Sequence, residues 1–188
     1  MTANLYTVLA ELWCNPMDVD NDELARETAS ALVDLRAIDP ECADLLDRFL
    51  RERTESEDYI ELFELNPKCS LYLGSHAFEE PKTCAQAGVC DRNGYMIELL
   101  GMYRHFKLLP NGREMPDYLP LILELLALTA GSADPMRGKL IREYIVPYLA
   151  PLRTRLDELC TRYSYLLDVF QRLLKIDSEN YMTVVDHA

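Results

Sequence analysis

From Leu152 to Leu173 the large apolar residues Leu152, Leu156, Leu159, Tyr163, Leu166, Phe170 and Leu173 recur at alternating intervals of four and three. That interval is the period of a helix face. A strand cannot meet it, because its faces alternate at every second residue. The seam is heptad-like but short for a free coiled coil, so it predicts a helix packed inside its own bundle.

The same period runs through most of the chain. Leu5, Val8, Leu9, Leu12 and Trp13 mark a first helix. Leu24, Thr28, Ala31, Leu32 and Leu35 mark a second, with Asp20, Asn21 and Asp22 as caps and first-turn acids. Asp39-Pro40 opens a third, with Cys42, Leu45, Leu46 and Phe49 inward, and Tyr59, Ile60 and Phe63 mark a short fourth. Met96, Leu99, Leu100, Tyr103 and Phe106 define a helix over 95–108. Asp134-Pro135 starts another, carrying Leu140, Ile141, Tyr144, Ile145, Tyr148 and Leu149, which Pro147 and Pro151 should kink or break. Strand pairs, β-α alternation and long repeats are absent. The fold class is therefore all-α, a single-domain bundle over residues 1–188 with roughly eight to ten helices. The polar tail from about Asp177 is expected to fray.

The period breaks at NPKCSLYLGSHAFEEPKTCAQAGVCDRNG, residues 66–94, which reads as an irregular connection holding one turn of helix. A connection this long in a compact domain is often functional. Within it, His76, Cys84 and Cys90 match no zinc spacing. The six cysteines contain no CxxC pair and fit reduced thiols in the cytosol. The N-terminus reads as a first helix rather than a signal peptide, and the apolar runs fall short of a membrane span. With 19 basic against 32 acidic side chains, the net charge of −13 disfavours nucleic acid and favours a basic partner such as an Arg- or Lys-bearing peptide. No nucleotide-binding, zinc-protease or hydrolase motif occurs, so an enzyme is not indicated.

One stretch stands apart: EMPDYLPLILELLAL, residues 114–128, an apolar run that still carries Asp117 and Glu124. On a helical wheel these two acids fall on one stripe beside Pro120 and Ala127, while every other position is large and apolar. Such a stripe can line a groove that receives a guanidinium through charge-assisted hydrogen bonds. The plainer alternative is that Asp117 caps the helix and Glu124 is its solvent edge.

EMPDYLPLILELLA resembles the E-L-P-D-H-L-P-x-x-L-E-x-L-A signature of the NarJ-type nitrate reductase delta-subunit chaperones, within the wider TorD-like group of molybdoenzyme maturation chaperones. Tyr59-Ile60-Glu61-Leu62-Phe63 is similar to the family's Y-V-E-T-F. Leu71 and Leu73 before His76 resemble its run into E-H-V-H-G. Asp91-Arg92-Asn93-Gly94 with Met96, Leu99, Leu100 and Tyr103 follows R-D-R-G-x-A-M-x-x-L-L-x-x-Y. The resemblance covers residues 59–128. It implies a cytoplasmic, system-specific chaperone with no cofactor and no turnover of its own. Such a protein binds the apo catalytic subunit of a DMSO reductase-family molybdoenzyme, often at its twin-arginine leader, until molybdopterin guanine dinucleotide is inserted. Members of the group occur as monomers and as homodimers.

The resemblance points to Asp117 and Glu124 as partners for the leader's arginines, and to Tyr118, Pro120, Tyr72, His76 and Tyr103 as groove walls. Two departures, Tyr118 where the family has His and the TCAQAGVC insertion, suggest a client other than respiratory nitrate reductase. Selenate, chlorate and perchlorate reductases, dimethylsulfide dehydrogenase and ethylbenzene dehydrogenase are the candidates. Two other functions stand beside this one: a generic helical adaptor for a basic peptide, and a thiol metal or redox protein using Cys84 and Cys90.

Overall fold

The computed structural model describes residues 2–51, 55–78 and 90–185, with side chains through Ser178. Eight helices make up the described residues, and no strand is present among them. They are α1 (Thr2–Leu12), α2 (Asn21–Ile38), α3 (Pro40–Arg51), α4 (Ser56–Tyr59, running into a π turn at Ile60–Glu64), α5 (Asp91–His105), α6 (Leu119–Leu128), α7 and α8 (Tyr163–Val185). Helix α7 joins Pro135–Lys139, a π turn at Leu140–Ile145 and Val146–Glu158 without a break. A 3-10 turn, Leu73–His76, lies before α5.

Local chemistry sets several of these boundaries. Asp20 caps α2 by accepting from the N–H groups of Asp22 and Glu23, and Asp134 caps α7 by accepting from Met136. Pro40 and Pro135 stand at first helical positions, where no N–H is needed. Pro147 and Pro151 do not break α7. The π turn immediately ahead of Pro147 widens the backbone where the proline removes a donor, and Pro151 is carried inside the helix that follows.

The heptad-like seam, by contrast, is divided. Leu152 and Leu156 belong to α7, and the chain turns at Cys160, whose φ of 49° is left-handed, before α8 resumes at Tyr163. The seam survives the break because both helices turn the same side chains inward: Leu152, Leu156, Tyr163, Leu166, Phe170 and Leu173 are all buried. At the point where the polar tail is expected to begin, the chain is still helical and anchored. Helix α8 continues to Val185, and Asp177 is buried, accepting from the Tyr6 hydroxyl at 2.8 Å and pairing with Arg137 at 2.6 Å. A carboxylate held by two internal partners anchors the helix at the point where composition alone suggests a loose end.

The core has an aromatic centre. Tyr163 of α8 meets Trp13, Phe49 and Phe63 at ring-centroid distances of 5.1, 5.3 and 4.8 Å. All three pairs are edge-on or tilted, the arrangements that ring quadrupoles favour. Helix α6 packs along α1 and α8 packs on α3. Leu119, Ile122, Leu123 and Leu126 of α6 have no exposed surface, and each buried side chain contributes about 1.5–3 kcal/mol of transfer free energy. Helix α6 is thus an internal strut, and its N-terminal end meets the irregular connection.

Candidate functional site

The described part of the 66–94 connection is irregular to Tyr72, makes one 3-10 turn, and enters α5 at Asp91, four residues earlier than periodicity indicates. It is fastened to the start of α6. The Leu73 N–H donates to the Asp117 carbonyl at 3.0 Å and the Leu119 N–H donates to the Leu71 carbonyl at 2.9 Å, a single antiparallel bridge. This sets Tyr72 opposite Tyr118, ring centroids 5.4 Å apart. The Tyr72 hydroxyl donates to Glu114, and the Tyr118 hydroxyl is hydrogen-bonded to that of Tyr59, which donates in turn to the Trp13 carbonyl at 2.9 Å. Burial raises the Tyr118 phenol to about 12, so it stays protonated as a hydrogen-bonding group.

Asp117 lies in this joint but does not face a groove. It precedes α6, whose N-cap is Tyr118 and carries no side-chain cap bond, so Asp117 is not the helix cap. Its carboxylate is fully buried. Oδ2 accepts the Gly74 N–H at 2.9 Å and lies 3.7 Å from Arg92 Nη2. Burial raises this carboxyl above its ordinary range, against the lowering effects of Gly74 and Arg92. Gly74 is required by the close approach, since a Cβ there would stand 2.9 Å from Asp117 Oδ2. Asp117 therefore already holds an internal arginine and ties the 3-10 turn to α5 and α6.

Glu124, in contrast, is exposed, with its carboxyl raised by partial desolvation. The common stripe drawn on the wheel is thus split, because the helix begins only at Leu119 and Asp117 turns away into the protein. Of the other residues singled out by the sequence, Tyr103 is buried and donates to the Pro116 carbonyl at 3.1 Å, and Pro120 is buried in the first turn of α6. His76 is half-buried, its Nε2 2.6 Å from the Ser70 carbonyl of its own loop. Tyr72 and Tyr118 remain partly accessible beside Glu114.

Sequence reasoning missed the rest of the surface. Cys14 sits at the end of α1, where burial first and then the charges of Glu124, Glu11, Asp18 and Glu114 push its thiol up to about 11. Glu64 lies near Tyr118 and accepts from Asn15 Nδ2 at 3.1 Å. Glu11 is raised by burial and by the charges of Glu27, Glu23 and Asp20. Among the described residues, Glu11, Glu23, Glu27, Glu114 and Glu124 form no ion pair. One signal was available: Glu114 opens the very motif that drew attention to Asp117. The approach of α1 to α6 left no trace in local spacing.

Burial pushes the thiols of Cys42 and Cys69 up to about 12, which favours inert protonated thiols. Cys84 and His187 lie outside the described residues. No group of three His, Cys, Asp or Glu side chains is placed to hold a metal among the described residues. No helix there is long and apolar enough to cross a membrane.

Fold and site together define an all-α bundle that presents an acidic, aromatic face at the junction of α1, α6 and the 3-10 turn. The chain is 33% identical over 162 residues, 82% of its length, to the nitrate reductase molybdenum cofactor assembly chaperone NarJ of Escherichia coli K12. It is 31% identical over 116 residues, 62% of its length and 45% of the relative's, to the probable assembly chaperone NarW of the same organism. It is also 26% identical over 119 residues, 63% of its length and 58% of the relative's, to the probable NarJ of Bacillus subtilis. No family profile matches the chain. It belongs among the homologues of the NarJ-type nitrate reductase assembly chaperones, as the motifs over 59–128 implied, and spans 64% of the length of the E. coli NarJ.

Proposed function

We propose that this protein is an assembly chaperone for a molybdenum oxidoreductase of the DMSO reductase family. It binds the apo catalytic subunit in the cytoplasm, chiefly through the subunit's twin-arginine leader, and holds it until molybdopterin guanine dinucleotide is inserted and before export. It has no cofactor and no turnover of its own. The observation that carries this reading is that half-buried Glu114, held by Tyr72 beside the Tyr72–Tyr118 pair, and exposed Glu124 both bear on Cys14 and form no ion pair among the described residues, on a homologue of assembly chaperones. Glu114 and Glu124 take the role that the helical wheel and the resemblance suggested for Asp117 and Glu124. Guanidinium groups gain charge-assisted hydrogen bonds there, and the tyrosine rings offer flat apolar contact with a polar edge.

Co-expression with the catalytic subunit encoded beside this chain tests the reading, followed by calorimetric titration with that subunit's leader. The subunit should co-purify in its cofactor-free form. The leader should bind in the micromolar range, about −8 kcal/mol, and more weakly as salt rises. An Arg→Gln leader, or Glu114→Gln with Glu124→Gln in the chaperone, should weaken binding about tenfold, or 1.4 kcal/mol. Retention of the subunit without leader binding would move the contact to its mature domain. Retention of neither would leave a helical adaptor for some other basic peptide.

A further inference from the structure

Residues 99–113 contain no Asp or Glu, in a chain that carries 32 acids among 188 residues. The same stretch supplies Arg104, Lys107 and Arg113, all exposed. Among the described residues none of the three forms an ion pair. Beside them two large apolar side chains are left in water: Leu109 is 74% exposed and Met115 48%. Glu114, the acid within the turn, is engaged by the Tyr72 hydroxyl, and Asp134 of α7 is held by His105 at 2.6 Å. The connection from α5 to α6 is therefore locally basic and apolar on an acidic protein.

Hydrogen bonds hold this turn in shape. Helix α5 ends in a Schellman closure, with the Leu108 N–H donating to the Tyr103 carbonyl and the Lys107 N–H to the Arg104 carbonyl, each at 2.9 Å. Leu108 packs against the core, the contact usual for this closure, and Leu109 is left outside. Asn111 Oδ1 accepts the Arg113 N–H at 2.9 Å, and Gly112 takes a left-handed φ of 78°. At the far end the Tyr103 hydroxyl donates to the Pro116 carbonyl at 3.1 Å. Lys107 has a φ of 58°, the left-handed position that glycine fills most easily, so the backbone gains nothing from a lysine there. The C-terminal dipole of α5 favours a cation in its last turn, but it explains neither Arg113 nor an exposed leucine.

We propose that this turn docks on an anionic lipid surface, with Leu109 and Met115 entering the headgroup layer while Arg104, Lys107 and Arg113 rest on lipid phosphates. Peripheral binding of this kind sums apolar burial and the attraction of basic side chains to anionic headgroups. The net charge of −13 does not forbid it, because screening over about 8 Å at physiological salt lets the nearest charges decide. An apolar tip flanked by cations suits a layer that is anionic outside and hydrocarbon beneath. An acidic protein would have to offer a cavity for Leu109 and Met115 as well as its charge. With three cations and two apolar side chains the contact is weak and reversible. It needs neither the acidic face nor a client.

The test is co-sedimentation of the full chain with vesicles of phosphatidylcholine alone and of phosphatidylcholine mixed with phosphatidylglycerol. The chain should bind the mixed vesicles, lose that binding as salt rises, and ignore phosphatidylcholine. Leu109→Ser with Met115→Ser should weaken binding about tenfold, and Arg104→Gln with Arg113→Gln should do the same. Lys107→Gly should weaken it about fivefold while raising the melting temperature, since glycine suits the left-handed backbone. This variant carries the test where a double variant unfolds. Lys175→Gln, which removes an exposed cation of α8 outside the turn, should stay within about twofold.

No binding to the mixed vesicles, or equal binding to both kinds at every salt concentration, would overturn the proposal. Unchanged binding by Lys107→Gly or by either folded double variant would also overturn it. A loss from Lys175→Gln as large as that from Lys107→Gly would do so too, since charge anywhere on the surface would then serve. Binding to poly-glutamate without binding to vesicles would replace the lipid surface with an acidic protein partner.

Discussion

Arg172 of α8 grips Asp39 with two hydrogen bonds, at 2.7 and 2.9 Å, and reaches Glu41 at 2.8 Å. Arg153 links Asp157 to Asp168, and Arg137 closes on buried Asp177. Around α1, Glu11, Glu23, Glu27, Glu114 and Glu124 form no ion pair among the described residues, and their charges bear on Glu11 and Cys14 instead. The chain's surplus of acid is thus unevenly spent. Where α3, α7 and α8 pack, each carboxylate named has a basic partner and serves the fold. Along α1, α2 and α6 the carboxylates are left available, at a small cost in mutual repulsion.

The largest effect should come from breaking the paired side at its most buried point. Arg137→Ala leaves Asp177 and the Tyr6 hydroxyl without their cation and should cost about 3–5 kcal/mol in urea unfolding. Adding Asp177→Asn should restore part of that, because the stranded charge is removed. If Arg137→Ala costs nothing, the two sides do not differ as described.

Asp117 and Glu124 sharpen the comparison, as two acids of one motif with opposite surroundings. Asp117→Ala removes the tie between the 3-10 turn and α6 and should cost about 2–3 kcal/mol, seen as a lower melting temperature. Glu124→Ala should stay within about 0.5 kcal/mol and act on leader binding instead. Similar losses of stability from both would place Glu124 in the structural set.

The pH dependence of the two sides should have opposite signs. Hydrogen bonds from Arg172 hold the Asp39 carboxyl below its ordinary range. A depressed carboxyl stabilises the fold above its unfolded value, about 3.9, and that contribution fades as pH falls through the folded value. Arg172→Met should therefore lower the urea midpoint at neutral pH, with the deficit closing in acid. Glu11 is raised by burial and by its acidic neighbours, so its ionised form opposes folding at neutral pH and acidification relieves it. Glu11→Gln should stabilise by less than about 0.5 kcal/mol at low salt and neutral pH, with the gain vanishing as pH falls. A loss of stability in Glu11→Gln would show that this acid has a partner.

Much of the fold was legible because helices are specified locally. The Asp20 and Asp134 caps, the prolines at 40 and 135 and the apolar intervals each act within a few residues, and each stands where periodicity indicates. The failures share one cause. Asp117 looked like a cap until Gly74, forty-three residues away, claimed its carboxylate. Asp177 looked like the start of a loose tail until Tyr6, at the other end of the chain, and Arg137 buried it. The seam looked continuous because burial preserves a pattern even where Cys160 breaks the helix.

By itself the sequence determined an all-α chain, its helix starts, its apolar faces and its excess of acid, since these follow from neighbours in the chain and from composition. Only the tertiary structure decided which acids are consumed and which remain open. A carboxylate's role depends on the distance to a cation and to water, and those distances arise from packing residues far apart in sequence. Asp117 and Glu124 look alike on a wheel; the approach of Arg92 and Gly74 to one and of solvent to the other separates them.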